Sequence, residues 1–314
     1  MENLMFSLNA TMPIFFTMVL GYLFRRKGFF DDAFLDRMNK FVFKVTLPAL
    51  LFEDIAGTDF VHSWDGGFVL FCFCVTVLCI LISLGISWLL KDRSVQGEFI
   101  QASYRSSAAI LGIAFIQNIY GNAGMAPMMI IASVPLYNVC AVTVLSLFCP
   151  GRGRLDKKLI QKTLKGIATN PIILGILIGM LWSLFSLSQP VILQKTVHNL
   201  GVLTTPLGLM AMGGSFSFKE GASQLKTGIL CAFLKLVGFV ALFLPLAVFF
   251  GYRNDQLIAI LVMLGSATTV TCFIMAKNMG YEGHLSSCVI ALTTFFSSFT
   301  LTVWLYILKS LGFI

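Results

Sequence analysis

Apolar residues gather along the chain into ten stretches of roughly 20 residues, the length a helix needs to cross a hydrocarbon core. They run Leu4 to Phe24, Met38 to Ala56, Phe68 to Leu90, Phe99 to Ile119 and Met125 to Phe148 in the first half. The second half holds Ile167 to Leu187, Leu200 to Phe216, Thr227 to Phe250, Leu257 to Asn278 and Leu285 to Leu308. The second and seventh are short, and each carries a mid-segment proline, Pro48 and Pro206. Polar residues are confined to short connections, none of which has the length of a soluble domain. The pattern predicts an all-α polytopic membrane protein with ten transmembrane helices.

Composition agrees. Of 314 residues only 11% are charged, against about 25% in an ordinary soluble domain. Hydrophobic residues make up 57%, and mean hydropathy is +0.88. A water-soluble globule so poor in charge would present apolar surface it could not solvate. Disorder, a secreted disulfide scaffold and a nucleic-acid binder are excluded, and the bilayer itself is the first partner. The eight cysteines lie in or at the ends of apolar runs, with no CxxC or Cys/His spacing. They read as small packing residues, with no metal site and no cofactor implied. Only Glu2 precedes the first stretch, whereas Arg25, Arg26 and Lys27 follow it. That is the reverse of a secretory signal, so the first stretch is expected to remain as a span.

The net charge of +8 matters through its placement. Odd-numbered connections hold Arg25, Arg26, Lys27, Arg37, Lys40, Lys44, Lys91, Arg93, six basic residues between 152 and 165, Lys219, Lys226 and Lys277. Even-numbered connections and the C-terminus hold Lys195, Arg253 and Lys309. Basic loops stay in the cytoplasm, so both termini are expected outside.

A faint repeat lies at an offset of 158 residues. Pro13 and Ile14 match Pro171 and Ile172, Thr46 and Pro48 match Thr204 and Pro206, and Phe115 and Ile116 match Phe273 and Ile274. Five helices per unit is odd, so the second repeat (151–314) enters the membrane inverted relative to the first (1–150). Inverted repeats are a common build of secondary transporters.

Within this frame few residues can carry chemistry. Arg105 stands in the fourth stretch, where a cation must face water, a partner or a ligand; it either snorkels to the nearby edge or serves a site. The matching part of the ninth stretch, Gly265 to Thr271, is rich in hydroxyls, including Thr268, Thr269 and Thr271. Hydroxyls and freed carbonyls are what a broken helix offers a substrate or ion, although ordinary small-residue packing uses the same residues. Tyr137 and Asn138 lie mid-stretch in the fifth, and a buried amide must find hydrogen bonds. Lys235, in the eighth stretch, reads as snorkelling or paired. Glu53 and Asp54 read as a solvated loop edge. HExxH, GxSxG and phosphate-cradling GxxxxGK[ST] motifs are all missing, which speaks against an enzyme.

At this point the residues resemble the auxin efflux carrier family in its short prokaryotic-type form. The resemblance covers nearly the whole chain. It rests on Leu47-Pro48-Ala49-Leu50-Leu51-Phe52, Arg105-Ser106-Ser107 leading to Gly112, Leu136-Tyr137-Asn138, and Asn170-Pro171 followed by Gly175 and Gly179. Thr205-Pro206-Leu207 leading to Gly213, then Ala276-Lys277 and Gly280, complete it. It implies a 5+5 inverted repeat related to the bile acid symporters. Spans one, two, six and seven would form a scaffold that also makes a homodimer; spans three to five and eight to ten would form a moving transport domain. Spans four and nine would cross as broken helices beside the substrate, a small organic anion of auxin, malate or malonate type, at a plasma membrane. The family's binding role carries over to Tyr137 and Asn138, and to Arg105 and Ser107. Four positions depart from the family pattern: Ser107 replaces asparagine, Ala114 a crossing proline, Ala267 a frequent proline and Thr271 a frequent asparagine. The missing prolines leave room for a second reading, a membrane sensor that keeps the fold without turnover.

Overall fold

The computed structural model describes residues 16–56, 65–108, 124–149, 169–216 and 223–314, with single positions 13, 116 and 166. Gly112 and Ala114 lie outside the described residues, as does most of the connection carrying the basic residues between 152 and 165.

A first helix, α1, covers residues 16–26. Asp31 opens the next, accepting a 2.6 Å hydrogen bond from the Phe34 N–H at the start of α2 (Asp32–Phe41). Such a cap satisfies a donor the helix cannot. α2 continues through a π-helical turn (Val42–Thr46) into α3 (Leu47–Ala56). The short second stretch is therefore the C-terminal part of a longer helix that begins at Asp32. The π turn explains how Pro48 fits mid-helix. A proline lacks the N–H and crowds the carbonyl four residues back; the wider turn just upstream sends the Leu47 N–H to the Val42 carbonyl instead.

The seventh stretch is likewise re-drawn. α8 (Val191–Gly201) ends in a two-residue turn, and α9 (Thr204–Gly214) starts afresh. Pro206 falls in the first turn of α9, where its missing N–H has no intrahelical acceptor to serve. Between these, α7 (Pro171–Leu184) starts at an Asn170 cap and packs along α3. A Cβ on Gly175 would stand 2.7 Å from the Pro48 carbonyl oxygen, and one on Gly179 3.1 Å from that of Phe52. Only glycine allows the two backbones to touch this closely.

Among the described residues, four helical segments are long and apolar enough to cross a membrane. They are α4 (Gly66–Ser87), α6 (Ala126–Leu147), Leu225–Phe249, and α14 (His284–Ser310). The third comprises α10 (Leu225–Phe233), a second π turn (Leu234–Gly238) and α11 (Phe239–Phe249).

The fourth and ninth stretches behave differently. α5 (Gln96–Tyr104) stops at Arg105, which is extended at φ −76°, ψ 117°. α12 (Asn254–Gly265) stops at Ser266, extended at φ −76°, ψ 164°, and the helix resumes as α13 (Thr271–Asn278). The two extended pieces meet. Ser106 pairs antiparallel with Thr268, and the Ser107 N–H donates to the buried Ala267 carbonyl at 2.9 Å. Both breaks form without a proline.

The two halves keep register. Helices begin at Gly66, Gln96 and Ala126 in the first half and at Leu225, Asn254 and His284 in the second, each pair 158 or 159 residues apart. A carboxylate does the same task in each. Glu98, in the first turn of α5, accepts from the Gly283 and Ser286 N–H groups at the start of α14, at 3.2 and 2.8 Å. Asp255, in the first turn of α12, accepts from the Met125 N–H at the start of α6, at 3.1 Å. Each acid sits at the positive end of a helix from the opposite half.

Candidate functional site at the paired helix breaks

Breaking two helices side by side frees carbonyls that must be re-satisfied. Each break supplies donors to the other. Thr268 Oγ1 donates to the Ala102 carbonyl at 2.9 Å, and Gln101 Nε2 donates to the Cys272 carbonyl at 2.9 Å. The Met263 carbonyl, in the last turn of α12, receives both the Ser106 hydroxyl and, at 3.2 Å, the Tyr137 hydroxyl. The Tyr104 hydroxyl reaches across to the Tyr137 carbonyl at 3.3 Å.

Arg105 lies at the junction and is only 2% exposed. Its guanidinium turns inward rather than snorkelling to an edge. Nη2 donates to Asn138 Oδ1 and to Thr271 Oγ1, each at 2.8 Å. Nη1 lies 2.8 Å from the Met275 sulfur and 3.5 Å from Gln101 Oε1. Nε is buried and has no hydrogen-bond partner among the described residues. Every one of these partners is neutral. Glu98, the nearest acid along the helix, is committed to the start of α14. Asn138 is held in place from its other end, Nδ2 donating to the Val134 carbonyl at 2.8 Å.

A cavity of about 60 Å³ opens against this cluster. Arg105, Ser107, Tyr137, Asn138, Thr269 and Thr271 all contribute to its wall. It is far smaller than the roughly 300–1,000 Å³ of a drug-sized pocket, and suits a compact polar group. Thr271 is the first residue of α13, so the positive end of that helix's dipole lies at the cavity. Thr268 is placed differently: its hydroxyl and amide are consumed by Ala102 and Thr293, and it holds the breaks together instead of facing the cavity. Pro48 and Pro206 belong to the neighbouring helices; Leu47 and Thr205, the residues just before them, reach the cavity wall.

Three residues carry more than their sequence pattern announced. Asp54 stands on the cavity wall rather than at a solvated edge. Its neighbour Glu53 instead hydrogen-bonds His198 of α8, with Oε1 2.8 Å from Nδ1. Ser106 bridges α5 to α12. Lys235 is wholly buried, and its ammonium donates to Ser106 Oγ at 2.8 Å. A lysine inside an apolar stretch was the available signal, but its partner lies 129 residues away.

A family model described as membrane transport protein matches residues 6–305. The chain belongs to that family. The match bears out the resemblance to the auxin efflux carriers and, with the apolar helices, makes this a multi-pass membrane protein of a transport family. One relative, from Rhizobium meliloti (strain 1021), is named "Putative malonate transporter"; it is 24% identical over 323 residues, covering 96% of each chain. A second, from Methanocaldococcus jannaschii, is named as an uncharacterized transporter and is 22% identical over 315 residues, 97% of this chain and 99% of its own.

Proposed function

We propose that this member of the family is a secondary carrier for a small organic anion, a mono- or dicarboxylate, and works by alternating access. The observation that carries the reading is Arg105. A guanidinium buried at a cavity whose hydrogen-bond partners among the described residues are Asn138, Thr271, Met275 and Gln101, all neutral, costs several kcal/mol of desolvation, and an anionic ligand would offset that cost. An arriving carboxylate would take over the Nη2 bonds now made to Asn138 and Thr271. Those two side chains, with Ser107, Thr269 and the start of α13, would then bind the remaining oxygens. A guanidinium fork suits a carboxylate because it donates two parallel bonds.

The wider architecture follows the same reading. Ten spans form two inverted five-helix units, supported by the matched helix starts and by the reciprocal roles of Glu98 and Asp255. Spans one, two, six and seven make the scaffold and a homodimer contact. Spans three to five and eight to ten move as one bundle, carrying both breaks. Both termini face outward at a plasma membrane. The sensor reading drew only on the missing prolines, and the breaks close through Ser106, Thr268 and backbone pairing without them.

The test is uptake by purified protein in proteoliposomes across a panel of mono- and dicarboxylates, with external label exchanged against internal substrate. Exchange of at least one carboxylate is expected. Binding without flux would reinstate the sensor. In a cysteine-free background, Lys158→Cys should resist an impermeant reagent added to intact cells; labelling from outside would reverse the orientation.

A further inference from the structure

Among the described residues of the junction, Lys235 carries a charge that anion binding leaves unexplained. It is 0% exposed and sits in the π turn of the Leu225–Phe249 helix. Single π turns inside α-helices recur at functional sites, because they re-aim side chains and free a carbonyl. Here the Leu236 carbonyl is taken by Trp304 Nε1 at 3.2 Å, so the turn is held from α14. The Lys235 ammonium bonds to Ser106 Oγ, and that same hydroxyl donates onward to the Met263 carbonyl. Met263 lies in the last turn of α12, and Ser106 follows the end of α5 by two residues. The charge therefore stands where the C-terminal, partially negative ends of two half-helices meet.

Among the described residues no carboxylate pairs with it. Ionisable side chains near it among the described residues include the thiols of Cys79, Cys231 and Cys272 and the guanidinium of Arg105. Convergent half-helix C-termini with unwound carbonyls and hydroxyls are what transporters of broken-helix build offer to a coupling cation. Here that place already holds a cation on a tether.

Resting on the carrier reading, we propose that the Lys235 ammonium is a built-in substitute for a coupling metal cation, so that closing the junction and moving the anion require no bound Na⁺ or Li⁺. The lysine would neutralise the two half-helix ends in every state of the cycle. A free cation would do so only when bound, and would then be carried with the substrate.

Two variants beside the wild type, and two readouts, test this. The variants are Lys235→Ala, which vacates the place, and Lys235→Met, which fills it without charge. The readouts are carboxylate uptake into proteoliposomes and thermal unfolding of the purified protein, each in NaCl, LiCl and choline chloride at equal ionic strength. Wild-type uptake and melting should be the same in all three salts. Lys235→Ala should lose roughly tenfold in choline, the scale of one charge-assisted contact. Part of that loss should return in Na⁺ or Li⁺, with a melting temperature those ions raise. Lys235→Met should be impaired in every salt.

Wild-type uptake stimulated more than about twofold by Na⁺ over choline, beyond ordinary salt screening, would overturn the proposal. So would Lys235→Met behaving as wild type, or folded Lys235→Ala that no salt distinguishes. Wild-type protein that moves no carboxylate would defeat the carrier reading instead; the melting comparison of wild type and Lys235→Ala would still decide whether the lysine fills a cation place.

Discussion

The two helix breaks are built to one plan and filled with different chemistry. Each ends a helix that starts 158 residues from its counterpart, and each leaves a short extended piece that pairs with the other. Yet the first break carries the charge, Arg105, and the second carries hydroxyls, Ser266, Thr268, Thr269 and Thr271. The helix starts keep one spacing across the two halves, while the side chains at the breaks differ. The same contrast holds at the reciprocal acids. Glu98 is 2% exposed and accepts two backbone N–H bonds, whereas Asp255 is half-buried and accepts one from Met125.

Replacing the charged side of the junction should cost most. Arg105→Gln should weaken carboxylate binding by roughly tenfold or more, since a hydrogen bond to a charged group is worth about 1.5–3 kcal/mol. Arg105→Lys should recover part of it through charge alone. Calorimetry on folded protein measures both, and unchanged affinity in Arg105→Gln would move recognition onto the hydroxyl side. Next comes the buried acid. Glu98→Gln should destabilise the protein by about 1.5–3 kcal/mol, because two N–H donors at the start of α14 lose a charged acceptor. Asp255→Asn should cost about 1 kcal/mol or less, because Asp255 is partly exposed to solvent. Melting curves in the same detergent compare them, and equal losses would mean the two halves share the load evenly.

Smaller effects separate holding from binding on the hydroxyl side. Thr271→Val removes a partner of Arg105 on the cavity wall and should alter affinity a few-fold, about 1 kcal/mol, with little change in stability. Thr268→Val should do the reverse, lowering stability by about 1 kcal/mol through the orphaned Ala102 carbonyl while leaving affinity alone. Swapped outcomes would mean that the two threonines have exchanged roles.

Local pattern made the long helices legible. The unbroken apolar runs at 66–87, 126–147, 225–249 and 284–310 declare themselves by length and hydropathy. The breaks are legible in outline: the clustered hydroxyls near Thr268 and the lone Arg105 mark the places, and the family resemblance implies that the two spans cross, but the individual partners are not readable. Ser106 meets Thr268, and Arg105 meets Thr271 from 166 residues away, and no window of sequence contains both partners. For the same reason Asp54 read as a loop edge, although α3 carries it onto the cavity wall. The extents of the second and seventh stretches escape the hydropathy pattern for another cause. Hydropathy weighs side chains, while the π turn before Pro48 and the turn at Val202 and Leu203 are backbone events.

The π turn at Leu234–Gly238 holds one residue more than the α-helix on either side of it would need for the same turn. Each residue of an α-helix turns the side chains about 100°. Excising one residue downstream of Lys235, such as Val237, would restore a regular helix and rotate everything on one side by that angle. The apolar face that α11 sets against α12 and the lysine at the junction would then no longer be presented together. One extra residue thus lets a single helix serve two directions at once, packing along its length and delivering a charge to the place where two others are interrupted.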